Sequence, residues 1–80
     1  MENENGIQIR FDNKYMYFNY ASIDYRVETK EISSKLANAD NQSKMHFQLS
    51  PSGLGIHWPL IDEDLSFSGL IKIADIIILD

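Results

Sequence analysis

Between Gly55 and Ser66 the chain gathers its only tryptophan, Trp58, together with His57, Pro59 and the acidic run Asp62-Glu63-Asp64. Three chemistries use residues of these types. Carboxylates that converge on calcium or magnesium alternate around a glycine-containing loop, whereas here Asp64 is followed by Leu65, Ser66 and Phe67, with no further carboxylate. Two carboxylates can catalyse glycoside hydrolysis when held ~5–9 Å apart across a substrate cleft, and so short a chain has little room for one. His57, Asp62 and Ser66 have the residue types of a hydrolytic triad, but no Gly-x-Ser-x-Gly elbow or glycine-rich oxyanion loop accompanies them. Acids just ahead of a helix stabilise its positive end by about 0.3–1 kcal/mol each. Asp62, Glu63 and Asp64 are therefore expected to be structural, with at least one bonded to backbone amides near Ser66 and no tightly held divalent ion.

The run Gly55-Ile56-His57-Trp58-Pro59-Leu60-Ile61-Asp62-Glu63-Asp64-Leu65-Ser66, followed by Gly69-Leu70-Ile71, resembles the signature of domain of unknown function family 2442. Its members are small bacterial proteins with Gly-Ile-His-Trp-Pro-x-Leu-Asp-Glu-Asp-Ile/Leu-Ser-x-x-Gly-Leu-Leu near the C-terminus. The likeness runs from Ile7 to Ile71. It implies a compact α+β domain without an assigned activity; some members are fused to a helix-turn-helix module, and others lie beside small proteins in arrangements that suggest toxin and antitoxin. This chain departs from the pattern at Ala21-Ser22, where Asp-Gly is usual, and at Ser33-Ser34-Lys35-Leu36, where Pro-x-Leu is usual. Asp40 stands where the threonine of an Ala-Thr-x-Glu-Gln-Arg segment would cap a helix.

The elements that must position the signature are legible from periodicity. Ile7, Ile9 and Phe11 alternate with polar residues, as do Met16, Phe18 and Tyr20 and then Tyr25 and Val27. Turns at Asp12-Asn13 and Ala21-Ser22 would pair Ile9 with Met16, Ile7 with Phe18, Phe18 with Tyr25 and Met16 with Val27, giving a three-stranded antiparallel meander. Its outer face would stack Tyr15 and Tyr17 on Arg10 and Arg26, a solvated sheet surface in preference to a base-stacking platform. Thr29 would cap one amphipathic helix from Lys30 to Ala39 with Ile32 and Leu36 inward. Asp40 to Ser43 reads as a loop or one further helical turn.

A second hairpin is expected from Met45 to Trp58 around Ser50-Pro51-Ser52-Gly53, with Leu49 facing Leu54, Phe47 facing Ile56 and Met45 facing Trp58. That register sets His46 opposite His57, where two imidazoles could take up zinc or nickel adventitiously, one or two ligands short of a firm site. Pro59 should end the strand and release the acids into a loop, and Ser66 should cap a short C-terminal helix holding Phe67, Leu70 and Ile71. The apolar tail Ile76 to Leu79 is either another strand or a contact surface. The expected core is Ile9, Met16, Phe18, Tyr25, Val27, Ile32, Leu36, Phe47, Ile56, Trp58, Leu65 and Leu70.

Composition bounds the function. A chain of 80 residues suits one α+β domain over 7–80 with a flexible N-terminus over 1–6, burying about 60% of its unfolded surface. With no cysteine there is neither a disulfide framework nor a thiolate. The opening Met-Glu-Asn-Glu-Asn lacks the basic and apolar regions of a secretory signal, and no apolar run approaches the ~20 residues of a membrane span, so a cytoplasmic protein is expected. A net charge of −5 opposes direct nucleic-acid binding and suits solubility alone or steering toward a basic partner protein, while the apolar tail points to a homodimer or a heteromeric partner. The sequence thus points to a non-enzymatic protein-interaction module without a cofactor, and the family resemblance implies the acidic, antitoxin-like half of a pair. Its signature residues Gly55, His57, Trp58, Pro59, Asp62, Glu63, Asp64 and Ser66 are structural or interacting. The alternative is a small-ligand or metal-sensing domain with its site near Trp58 and His57.

Overall fold

The computed structural model describes residues 8–78; the N-terminus over 1–6, the pairing of Ile7 with Phe18, and Leu79 lie outside the described residues. The described chain runs β1 (Ile9–Phe11), β2 (Tyr15–Tyr20), β3 (Ile23–Glu28), α1 (Thr29–Ile32), α2 (Ser34–Ala37), α3 (Asn41–Met45), β4 (Gln48–Leu49), β5 (Gly55–Trp58), β6 (Glu63–Ser66), α4 (Phe67–Ile73) and β7 (Asp75–Ile76). The fold is α+β, with an antiparallel sheet of order β1-β2-β3-β7 and a second of order β4-β5-β6.

In the first hairpin Ile9 pairs with Phe18 and Phe11 with Met16, two residues from the expected register. Asp12 is the cause. Its Oδ1 accepts the amides of Lys14 at 2.8 Å and Tyr15 at 2.7 Å, while its own N–H donates to the Tyr15 carbonyl at 3.0 Å. Asp12 therefore closes the ladder, and Asn13-Lys14 make the turn. A slip of two leaves each side chain on its expected face, because strand side chains repeat every two residues. The next hairpin has the expected register, Phe18 with Tyr25 and Met16 with Val27. Ala21 and Ser22 close it at φ 52° and 68°, the geometry of a type I′ turn, which favours Asn-Gly or Asp-Gly. Ile76, the first residue of the apolar tail, joins Asp75 in β7 at the sheet edge, pairing Ile76 with Tyr25 and Asp75 with Arg26.

The expected single helix is instead two turns, α1 and α2, separated by Ser33 in extended conformation (φ −168°, ψ 115°). Thr29 is not its cap: Glu28 holds that position without a side-chain bond, and Thr29 is buried inside α1. Ser33 accepts the Leu36 amide at 3.0 Å and caps α2, a local bond that competes with helix continuation. Leu36 is buried as expected. Asp40 caps α3 by accepting the Ser43 amide at 2.8 Å, which holds its carboxyl below the usual range.

The second hairpin also differs from expectation by two residues: Leu49 faces Ile56 and Gln48 faces His57. Met45 ends α3 in place of starting a strand, and His46 is the C-cap residue of that helix, so the two histidines do not oppose one another and the facing pair that could have taken up zinc or nickel adventitiously does not form. The Ser50–Gly53 turn forms, with Gly53 donating to the Ser50 carbonyl at 2.9 Å and adopting φ 76°. Pairing resumes one residue later than expected because Ser50 Oγ accepts both the Leu54 and Gly55 amides, leaving Leu54 in the loop. Of the three acids only Asp62 lies in the expected loop. Glu63 and Asp64 open β6, which pairs with β5.

One core joins the sheets: Ile9, Met16, Phe18, Tyr25 and Val27 meet Ile56 and Trp58, with Leu36, Phe67 and Leu70 from the helices. Ile32, Phe47 and Leu65 pack against it partly buried. Phe67, absent from the expected core, stacks on Tyr20 at 4.5 Å between centroids. No helix among the described residues is long and apolar enough to cross a membrane.

Candidate functional site: the signature hairpin and the β7 edge

Strand alternation divides the signature between two faces. Ile56, Trp58, Glu63 and Leu65 face inward, and Gly55, His57, Asp64 and Ser66 face outward. Trp58 is completely buried, and its Nε1 donates to the Lys44 carbonyl at 2.9 Å, fixing the end of α3 against β5. Its ring has no face available to a ligand. Glu63 lies opposite Trp58 and accepts the Ser33 hydroxyl through Oε2 and the Asp64 amide, at 3.0 Å, through Oε1. Ser33 thus caps α2 with its lone pair and holds β6 with its proton.

The turn residues have conformational roles. Ile61 donates to the Trp58 carbonyl at 3.4 Å, placing Pro59 second in a tight turn, where its fixed φ fits. Asp62 follows at φ 53°, a conformation aspartate tolerates better than most residues, and Lys35 Nζ donates to its carbonyl at 3.1 Å. At Gly55 a Cβ would lie 3.1 Å from the Leu65 carbonyl oxygen, so glycine permits close pairing with β6. Ser66 caps α4 as expected by accepting the Gly69 amide at 3.1 Å.

His57 and Asp64 form a cross-strand pair at 2.8 Å (Nδ1 to Oδ1) on the outer face. Together with Ser50, Leu54, Gly55 and Ser66 they line an open groove. The histidine's partner is Asp64, not Asp62, and the Ser66 hydroxyl is engaged at the helix cap, so the three triad-type residues are not assembled. None of the three acids accepts an amide next to Ser66; the backbone bond belongs to Glu63 and lies at Asp64. No group of three or more His, Cys, Asp or Glu side chains able to hold a metal ion occurs among the described residues.

The outer face of the first sheet is the Tyr/Arg ladder expected there: Arg10 sits 4.7 Å from the Tyr17 centroid and Arg26 4.6 Å from that of Tyr15. Tyr17 donates to Asp12 Oδ2 at 2.6 Å. That bond, with the Tyr15 and Lys14 amides, lowers the Asp12 pKa to about 2 and raises that of Tyr17.

Reading residue types along the chain did not bring together the surface at β7. Ile77 donates to the Asp24 carbonyl at 2.8 Å, so ladder alternation turns the N–H and C=O of Ile76 toward the open edge. The side chains of Ile73, Ile76 and Ile78 are 55%, 58% and 78% exposed. Beside them Glu28, Glu31 and Asp75 line one depression with Ile73. The available signal was the apolar tail with Asp75 directly ahead of it; Glu28 and Glu31, which complete the rim, come from β3 and α1 and are close only after folding.

Residues 1–75 match the family described as Protein of unknown function (DUF2442). No curated protein and no solved structure matches the chain. A match over so much of the chain, with the signature forming one continuous β5–β6 hairpin, establishes that the chain belongs to the DUF2442 family of proteins of unknown function.

Proposed function

We propose that the chain is a non-enzymatic protein-interaction module, the acidic, antitoxin-like member of a small bacterial pair acting in the cytoplasm, and that its partner docks along β7. The β7 edge is the observation that carries this reading. It offers the outward backbone groups of Ile76, exposed isoleucines, and a rim of Glu28, Glu31 and Asp75. An edge strand free of proline and lysine is a template for another strand, and the acids favour a segment flanked by Lys or Arg. A second copy would bring the same acidic rim against its own.

The signature residues are occupied within the fold, which supports placing the interface elsewhere. Purification from the native cell, followed by cross-linking and mass spectrometry, tests the reading. A stoichiometric basic partner should cross-link near Asp75 to Ile78, and Ile76→Lys should abolish capture while leaving the melting temperature nearly unchanged. Cross-links confined to Gly55–Ser66, or self-association through β7 in sedimentation, would contradict it.

A further inference from the structure

A second charged depression lies at the other side of the β3–α1 junction, lined by Asn13, Lys14, Thr29, Lys30, Ala37 and Lys44. Three of the chain's seven Lys and Arg residues meet there, in a protein of net charge −5, and no carboxylate lines the depression. The lysines come from three places: the β1–β2 turn, α1 and α3. Among the described residues the one side-chain ion pair is His57–Asp64, so none of the three ammonium groups is neutralised by an acid in contact.

The frame around them is fixed. Thr29 N donates to the Lys14 carbonyl at 2.9 Å, and Trp58 Nε1 donates to that of Lys44. The Lys14 ammonium lies 5.5 Å from the Tyr15 ring centroid and the Lys44 ammonium 5.6 Å from that of Phe11. Such placements hold flexible side chains by weak attraction to the ring faces. Thr29, one of the lining residues, is 4% exposed, and its Oγ1 has no hydrogen-bond partner. A buried hydroxyl left unpaired is destabilising. An oxyanion drawn to the three lysines would give it a partner.

We propose that Lys14, Lys30 and Lys44, with the Asn13 amide and the Thr29 hydroxyl, form a binding site for a phosphoryl group. Three cations suit a dianion better than a monovalent carboxylate, because ammonium groups bind phosphate as point charges and their attractions sum over its oxygens. The site is independent of the β7 edge and would stand if docking there failed.

Titration of the 15N-labelled chain with inorganic phosphate, with acetate at matched ionic strength as control, is the test. Phosphate should give saturable shifts of the Lys14, Thr29, Lys30 and Lys44 amides, and acetate should not. Lys30→Gln and Lys44→Gln should each weaken binding about tenfold, the loss of one charge-assisted contact, whereas Lys35→Gln and Lys72→Gln should leave it unchanged. Thr29→Val should raise the melting temperature without phosphate and reduce the rise that phosphate produces. A small sugar phosphate and a short phosphoserine peptide then distinguish a free metabolite from a protein-borne group, tighter binding of either identifying the source. Equal responses to phosphate and acetate, meaning an adventitious ion only, or shifts insensitive to Lys30 and Lys44, would overturn the assignment.

Discussion

The two sheets hold their registers by different means. In the first, each hairpin is specified within its own turn: Asp12 gathers the amides of the two residues beyond Asn13, and Ala21-Ser22 supply the positive φ that a two-residue loop requires. In the second, the β5–β6 hairpin is tied to distant chain. Trp58 bonds the Lys44 carbonyl, Lys35 bonds the Asp62 carbonyl and Ser33 bonds Glu63, across 14, 27 and 30 residues respectively. The signature therefore behaves as a clamp between the second sheet and the helical segment. Its conspicuous residue types serve assembly, while the unoccupied groups lie on surfaces that no local motif marks.

That contrast orders the consequences of mutation. Trp58→Ala should have the largest effect, about 3–5 kcal/mol for removing a fully buried aromatic, enough to unfold most of a domain with ordinary marginal stability. Urea unfolding followed by circular dichroism checks it, and a variant that remains folded with unchanged midpoint would remove Trp58 from its anchoring role. Trp58→Phe should cost less, about 1–3 kcal/mol, chiefly from leaving the Lys44 carbonyl unpaired.

In the first sheet a local change should help. Ser22→Gly relieves a left-handed conformation that costs an L-residue roughly 1–2 kcal/mol, offset by the greater unfolded-state entropy of glycine, so the same assay should show a modest gain. Ser34→Pro is the matching test beside the clamp. Ser34 is the first residue of α2, and extended Ser33 before it suits a following proline. A gain of a few tenths of a kcal/mol is expected from chain-entropy reduction; a loss would mean that the Ser34 N–H is needed.

The smallest effect belongs to exposed Asp12. Its folded pKa of about 2 lies below the ordinary 3.8, owing first to the Tyr17 hydroxyl and then to the Tyr15 and Lys14 amides. A depressed carboxyl stabilises the fold above the unfolded value, and this contribution disappears as pH falls from near 4 toward 2. Tyr17 has the opposite dependence: with its pKa raised, its contribution is present below 10 and is lost as pH rises through the folded value. Carbon-detected titration of Asp12 should give a midpoint near 2, and Tyr17→Phe should move it upward; an unshifted midpoint in the native chain would remove the turn-specific explanation.

Faces were easier to read from sequence than registers. Period-two alternation placed Ile9, Met16, Phe18, Tyr25, Val27, Ile56 and Trp58 inward even where the pairing was displaced, because a two-residue displacement conserves the face. Cap chemistry at Asp40 and Ser66 was local and legible. The break at Ser33 was not, since helical periodicity continues through it and Glu63, which holds its hydroxyl, comes from distant sequence. The acids misled for a related reason: three charges read as solvent loop, yet only Asp64 of the β6 pair faces outward, while Glu63 faces Trp58 and finds its partner on α2's cap. Chemistry assigned by residue type gathered His57, Asp62 and Ser66; the fold instead joined His57 to Asp64.

The most direct measurement of the clamp is a double-mutant cycle of Ser33→Ala and Glu63→Gln, read by urea unfolding. A hydrogen bond to a carboxylate between otherwise separate elements should give a coupling of about 1.5 kcal/mol, with the double variant less destabilised than the sum of the single ones. Strict additivity would contradict the account, showing that β6 and the α1–α2 break are stabilised independently and that the signature does not join them.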